Sequence, residues 1–157
     1  MKKFFSLAVF SGVMLLAAIF AQAQDFPPIE PFAKDDRVLI LAPHPDDENI
    51  GCGGVIQRAV RTGAKVKIMY LTNGDHNEFA FIVYEKRLVM RNAAFVAMGK
   101  VREEEAKKAM KILGVDEGDL IFLGYPDYGT NNMFFSSWEN SAPFRDKLTR
   151  QSYVPYK

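Results

Sequence analysis

The hydrophobic pattern of this chain switches between two periods. Val38-Leu39-Ile40-Leu41 is an unbroken apolar run, and Val66 to Leu71 repeats it with Lys67 as its only charge. Such runs are the pattern of strands covered on both faces. Between them, Ile50 to Thr62 places Val55, Ile56, Ala59 and Val60 at helical spacing, with Gly63 as the stop. Further helical patterns cover about Glu85 to Met98 and about Arg102 to Leu113, the latter ending at Gly114. Leu120 to Leu123 is a third apolar strand. Past Tyr125 no helix or strand stands out.

Alternating strands and helices imply a parallel sheet with right-handed crossovers, because parallel neighbours need long connections. The expected fold class is therefore α/β, a Rossmann-like three-layer sandwich. Three strands are few for a complete sheet of this class, so the sheet is expected to be incomplete at the C-terminus.

Residues 1–23 follow a different logic. Lys2 and Lys3 precede an apolar stretch from Phe4 to Phe20, and Ala21-Gln22-Ala23 supplies the small-x-small pattern of a cleavage site. This reads as a signal peptide, with an exported, periplasmic or extracellular product and no stable membrane span after cleavage. Pro27, Pro28 and Pro31 then make 24–36 an extended leader. The domain proper is expected over 37–157.

The chain has 157 residues, 48% hydrophobic and 25% charged, which suits one globular domain with a sizeable core. Cleavage after Ala23 removes Lys2 and Lys3 and no acidic residue, leaving 18 basic against 19 acidic side chains. That balance gives no electrostatic footprint for nucleic acid. A single cysteine, Cys52, excludes an intramolecular disulfide. It reads as a small buried residue rather than a reactive one near a helix start.

Chemistry concentrates where the first strand ends. His44-Pro45-Asp46-Asp47-Glu48 puts an imidazole and three carboxylates directly after an aliphatic run, and open parallel sheets bind ligands beyond the carboxyl ends of their strands. One carboxylate could cap the following helix. Adjacent carboxylates exceed that need, and their crowded charge calls for a cation. Imidazole and carboxylate are zinc ligands, and a catalytic zinc usually takes three protein ligands and a water.

These residues resemble the signature of the PIG-L/LmbE-like de-N-acetylases, a His-Pro-Asp-Asp-Glu element after the first strand. The similarity continues through Ala42-Pro43, Gly51-Cys52-Gly53-Gly54, Leu71-Thr72-Asn73-Gly74-Asp75, Arg102-Glu103-Glu104-Glu105-Ala106 and Leu123-Gly124-Tyr125-Pro126-Asp127, covering about Arg37 to Gly129. The resemblance implies His44 and Asp47 as ligands of Zn²⁺ or another divalent metal and Asp46 as general base. It places Arg102 and Asp127 at the substrate edge, with Arg102 and Glu105 matching an R-x-x-E element. A surface ion pair is the alternative for those two. The implied activity is hydrolysis of an N-acetyl amide on an amino sugar or related glycoconjugate. A truncated domain that binds metal or glycan without turnover is the alternative.

The family's third ligand is a histidine in a later His-Pro-Asp-His-like element, whereas this chain has only His44 and His76. Either the chain is truncated, which its ending favours, or the ligand comes from elsewhere. His76 follows the second strand on the same sheet edge and is a candidate, although loop histidines more often face solvent or substrate. Phe79, Phe81, Tyr84, Phe134, Phe135 and Trp138 could stack on sugar or serve as core and interface. Lys107, Lys108 and Lys111 read as a solvated helix face. A dinucleotide fold is disfavoured, since Gly51-Cys52-Gly53-Gly54 departs from G-x-G-x-x-G and follows acids that repel phosphate.

Overall fold

The computed structural model describes residues 27–77, 91–139 and 142–156. The predicted signal peptide over 1–23 lies outside the described residues. The chain divides into two units, Met1–Glu30 and Pro31–Lys157, and the second holds every described helix and strand. Among the described residues no helix is long and apolar enough to cross a membrane.

Three strands, β1 (Arg37–Ala42), β2 (Lys65–Thr72) and β3 (Leu120–Tyr125), form one parallel sheet in the order β1-β2-β3. Helix α1 (Asp47–Thr62) connects the first pair, and α2 (Asn92–Ile112) lies between the second and third strands. The α/β class and the parallel sheet are as the pattern predicts. Helix α1 closes at Gly63, the predicted stop.

Ile56 and Ala59 of α1 and Ala106 and Met110 of α2 share one core with Ile40, Val66, Ile68 and Tyr70. Residues two apart on a strand point the same way, so both helices cover the same face of the sheet. Crossovers of one hand that step in one direction, β1 to β2 to β3, produce that result. The apolar run of β1 is therefore not covered on both faces as its pattern predicts. Ile40 and Ala42 are buried, while Leu39 and Leu41 are 56% and 60% exposed. No second helical layer occurs among the described residues.

Where the pattern predicts helices over about Glu85 to Met98 and about Arg102 to Leu113, the described residues form one helix, Asn92–Ile112. Residues 85–90 lie outside the described residues. Gly99 and Lys100 weaken the apolar periodicity without ending the helix. Gly99 is there for close approach: a Cβ on it would lie 2.5 Å from the Tyr156 hydroxyl oxygen and 2.7 Å from the ring.

Lys107 also departs from its reading as a solvated side chain. It pairs with Glu103, Glu104 and Glu117 at 2.9–3.3 Å and stands over the Phe122 ring. This cluster fastens α2 to the 3-10 turn Glu117–Asp119 that leads into β3.

The β3 end carries an irregularity. Tyr70 pairs with Phe122 and Thr72 with Tyr125, so β3 uses one residue more than β2 over this stretch. Gly124, at φ 69°, takes the left-handed conformation within it. A bulge of this kind re-aims the chain that follows. That chain is the 3-10 turn Asp127–Gly129 and then a short helix, α3 (Thr130–Ser136). No helix was predicted past Tyr125. Its Thr-Asn-Asn start is polar, and Phe134 and Phe135 are exposed, so no buried stripe marks it in the sequence.

Two glycines in helices separate propensity from packing. Gly54 has nothing within 4 Å of an added Cβ, whereas Gly99 faces Tyr156. Gly54→Ala should raise stability by about 0.5–1 kcal/mol. Gly99→Ala should lower it despite the same gain in helix propensity. Thermal denaturation of the two variants checks the difference in sign.

Candidate active site

The loop from β1 to α1 is fastened to β2 before the acidic residues begin. Thr72 donates to the Pro43 carbonyl from both its backbone N–H, at 3.1 Å, and its hydroxyl, at 3.0 Å. His44 then emerges with its ring between two carboxylates. Nδ1 lies 3.2 Å from Asp47 Oδ2, and Nε2 lies 2.8 Å from Asp127 Oδ1. The His44 backbone N–H also donates to Asp47 Oδ2 at 2.9 Å.

Helix capping does not account for these acids. Asp46 is the N-cap residue of α1 and makes no side-chain capping bond, and the Asp47 carboxylate turns back toward His44. Asp46 instead points to Arg102, with Oδ2 accepting from Nη2 at 2.7 Å. Its backbone has φ 146° and ψ −32°, in a region that non-glycine residues rarely occupy.

Arg102 rises from α2 and is buried. It also donates to the Pro45 carbonyl at 2.7 Å and the Gly74 carbonyl at 3.0 Å. Its ion pair is thus with Asp46 across the fold, while Glu105 is exposed on the helix. Gly74 makes this reach possible: a Cβ on it would lie 1.9 Å from Nη1 of Arg102. Leu71-Thr72-Asn73-Gly74-Asp75 therefore contributes a passage for a guanidinium rather than a ligand.

All five residues singled out from the sequence, His44, Asp46, Asp47, Arg102 and Asp127, line one open cleft of about 540 Å³ at the carboxyl end of the sheet, with His76, Asn77 and Tyr128. His76 sits on the cleft wall, its ring edge-to-face with Tyr128 at 4.2 Å and near Phe95 at 5.8 Å. Of the six aromatics considered for stacking, Phe79, Phe81 and Tyr84 lie outside the described residues. Phe134, Phe135 and Trp138 form an exposed cluster with ring centroids 5.0–5.6 Å apart. Cys52 is partly buried against the core.

Three further polar residues support the cleft from below, and their roles were not visible in the sequence. Glu48 is 1% exposed, and its carboxylate accepts the Asp46 N–H at 3.0 Å and the Asn49 side-chain amide at 2.7 Å. Burial pushes its carboxyl above the ordinary range, against the lowering effect of the Asp46 backbone N–H. Asp75 is also buried and accepts from the Tyr156 hydroxyl at 2.5 Å and the Asp127 N–H at 3.4 Å. Burial raises its carboxyl as well. The small residues at 99 and 124, which make room for the Tyr156 ring, are the only sequence trace of that contact.

The donor chemistry around His44 suits a cation. An ionised carboxylate only accepts hydrogen bonds, so a neutral ring that donates from Nε2 to Asp127 presents an unprotonated Nδ1 to Asp47. Two acceptors 3.2 Å apart call for a proton or a metal ion between them, and an imidazole held by a carboxylate on its far nitrogen is the usual setting of a metal-ligating histidine. Among the described residues no group of three or more His, Cys, Asp or Glu side chains is arranged to hold a metal ion. His44 and Asp47 fit as two donors of a larger set.

The family model described as PIG-L, GlcNAc-PI de-N-acetylase, matches residues 39–151. A diacetylchitobiose deacetylase of Thermococcus kodakarensis is 36% identical over 91 residues, covering 58% of this chain and 30% of that protein. A 1D-myo-inositol 2-acetamido-2-deoxy-alpha-D-glucopyranoside deacetylase of Geodermatophilus obscurus is 38% identical over 107 residues, covering 68% of this chain and 35% of that protein. Among solved structures, the N,N'-diacetylchitobiose deacetylase of Pyrococcus horikoshii superposes with a TM-score of 0.51 at 27% identity, over 65% of this chain and 34% of that one. The chain spans about a third of the length of the curated relatives it matches. With the family model covering most of its residues and the acidic motif standing at the end of the first parallel strand, the chain belongs to the PIG-L family of GlcNAc-PI de-N-acetylases.

Proposed function

We propose that this chain carries the acidic residues of a metal-dependent de-N-acetylase acting on an N-acetylated amino sugar or related glycoconjugate. The observation that carries the reading is the convergence of His44, Asp46 and Asp47 on one cleft at the carboxyl end of the sheet. The named relatives are deacetylases of such compounds. The basic start, apolar stretch and Ala21-Gln22-Ala23 of the first 23 residues support export, so the reaction belongs outside the cytoplasm.

His44 and Asp47 would hold the divalent ion, which when bound acidifies a water and polarises a carbonyl. Asp127 keeps the His44 ring oriented through Nε2. Asp46, half exposed beside Arg102, is the base. It takes a proton from the attacking water as the water oxygen bonds to the amide carbon. It returns that proton to nitrogen as the C–N bond breaks, releasing acetate and the free amine. The Arg102 guanidinium holds the Asp46 carboxylate in place through its hydrogen bond, and lines the cleft where sugar hydroxyls would lie.

The presence of only two metal donors among the described residues favours a second reading, a domain that binds metal or glycan without turnover. Two measurements separate them. Asp46→Asn should lower the rate of acetate release from an N-acetylglucosamine substrate by about 10²–10⁴-fold while zinc content stays unchanged; equal turnover in the variant rejects Asp46 as base. His44→Ala should lose zinc, measured by metal analysis and chelator competition. Chelation of the parent chain should abolish acetate release, and added zinc should restore it. Zinc binding with no acetate release from the parent chain supports the second reading.

A further inference from the structure

The third carboxylate of the motif, Glu48, contributes neither to the metal donors nor to the base. It is 1% exposed, unusual for a glutamate in the first turn of a helix, where acids normally sit in water near the positive end of the dipole. Its partners explain the burial. Oε2 accepts the backbone N–H of Asp46 at 3.0 Å, and Oε1 accepts the side-chain amide of Asn49 at 2.7 Å.

What Glu48 holds is a residue in an unfavourable conformation. Asp46 has φ 146°, a left-handed region where a side-chained residue is strained. Such a conformation persists only when its surroundings over-determine it. Asp46 is held at three points: its carboxylate by Arg102, its carbonyl by the N–H groups of Asn49 and Ile50 at 3.0 Å, and its own N–H by Glu48. The first two would also hold in an ordinary helix start with a surface ion pair. The buried carboxylate on the N–H is what selects the unusual backbone and hence the direction of the Asp46 side chain.

We infer that Glu48 is a positioning residue: through its hydrogen bond to the Asp46 N–H it fixes the strained backbone that aims the Asp46 carboxylate into the cleft. The inference rests on the assignment of Asp46 as base, and its test contains an arm that does not. Glu48→Gln keeps an acceptor oxygen for the Asp46 N–H, with Asn49 free to turn its amide toward the new NH₂ group. Glu48→Met keeps the shape, removes the acceptor and relieves the burial of an acid.

Hydrogen exchange at the Asp46 amide reads the contact directly. Protection should be present in the parent chain, kept in Glu48→Gln and lost in Glu48→Met. Turnover on an N-acetylglucosamine substrate should fall by about 10–100-fold in Glu48→Met, the scale seen when a hydrogen bond that orients a functional group is lost, with KM unchanged and the melting temperature equal or higher. Glu48→Gln should retain most of the turnover. A purely structural role predicts instead that turnover and melting temperature fall together, and that result overturns the inference. Unchanged Asp46 protection in a folded Glu48→Met chain overturns it too. Should Glu48→Met not fold, loss of protection in Glu48→Gln has the same force. A parent chain that releases no acetate refutes the deacetylase reading, and the exchange experiment still decides the role of Glu48.

Discussion

A buried guanidinium organises this end of the molecule. Arg102 cannot lose its proton, and a buried cation must have its donors satisfied. It does so by reaching from α2 to the carbonyls of Pro45 and Gly74 and to the Asp46 carboxylate. One side chain thus joins the long helix, the loop after β1 and the loop after β2. The planar fork sets the spacing of those loops, and the glycine at 74 exists in that arrangement because any side chain would occupy the same space. The cleft is shaped around this contact.

The remaining acids divide by environment. Asp46 and Asp47 stand half exposed at the mouth, and Asp127, largely buried, brings a third carboxylate from the far end of β3 onto His44. Glu48 and Asp75 are buried below them and accept backbone N–H groups of Asp46 and Asp127. Asp46, Asp47 and Asp127 face the cleft, and the buried Glu48 and Asp75 hold the backbone of Asp46 and Asp127. The bulge at Gly124 belongs to the same design, since it turns the chain after β3 so that Asp127 reaches an imidazole 83 residues earlier.

The sheet places all of this at one edge. Parallel strands put their carboxyl ends together, so the loops after β1, β2 and β3 meet although the chain between them is long. Helices α1 and α2 cover one face, and Leu39 and Leu41 on the other face are left open. An aliphatic run reports that a strand is apolar; it does not report which layers cover it. Within α2, Gly99 interrupts the apolar pattern for the sake of the Tyr156 contact, and the helix runs on through it.

The three strands, helix α1 and the acidic motif were legible in the sequence because they depend on local patterns: aliphatic runs, helical spacing, a terminating glycine and a compact group of ligand-type residues. His44, Asp46 and Asp47 could be singled out for that reason, as neighbours in the chain. Arg102 and Asp127 were legible only through resemblance, and what they touch was not legible at all. Their partners lie 56 and 83 positions away, and no periodicity encodes a distance of that kind. The separation of Glu48 from Asp46 and Asp47 was equally hidden, since three adjacent acids look alike until packing buries one of them. Local order came from residue pattern; the division of labour among identical functional groups came from burial and long-range contact, which only the folded chain possesses.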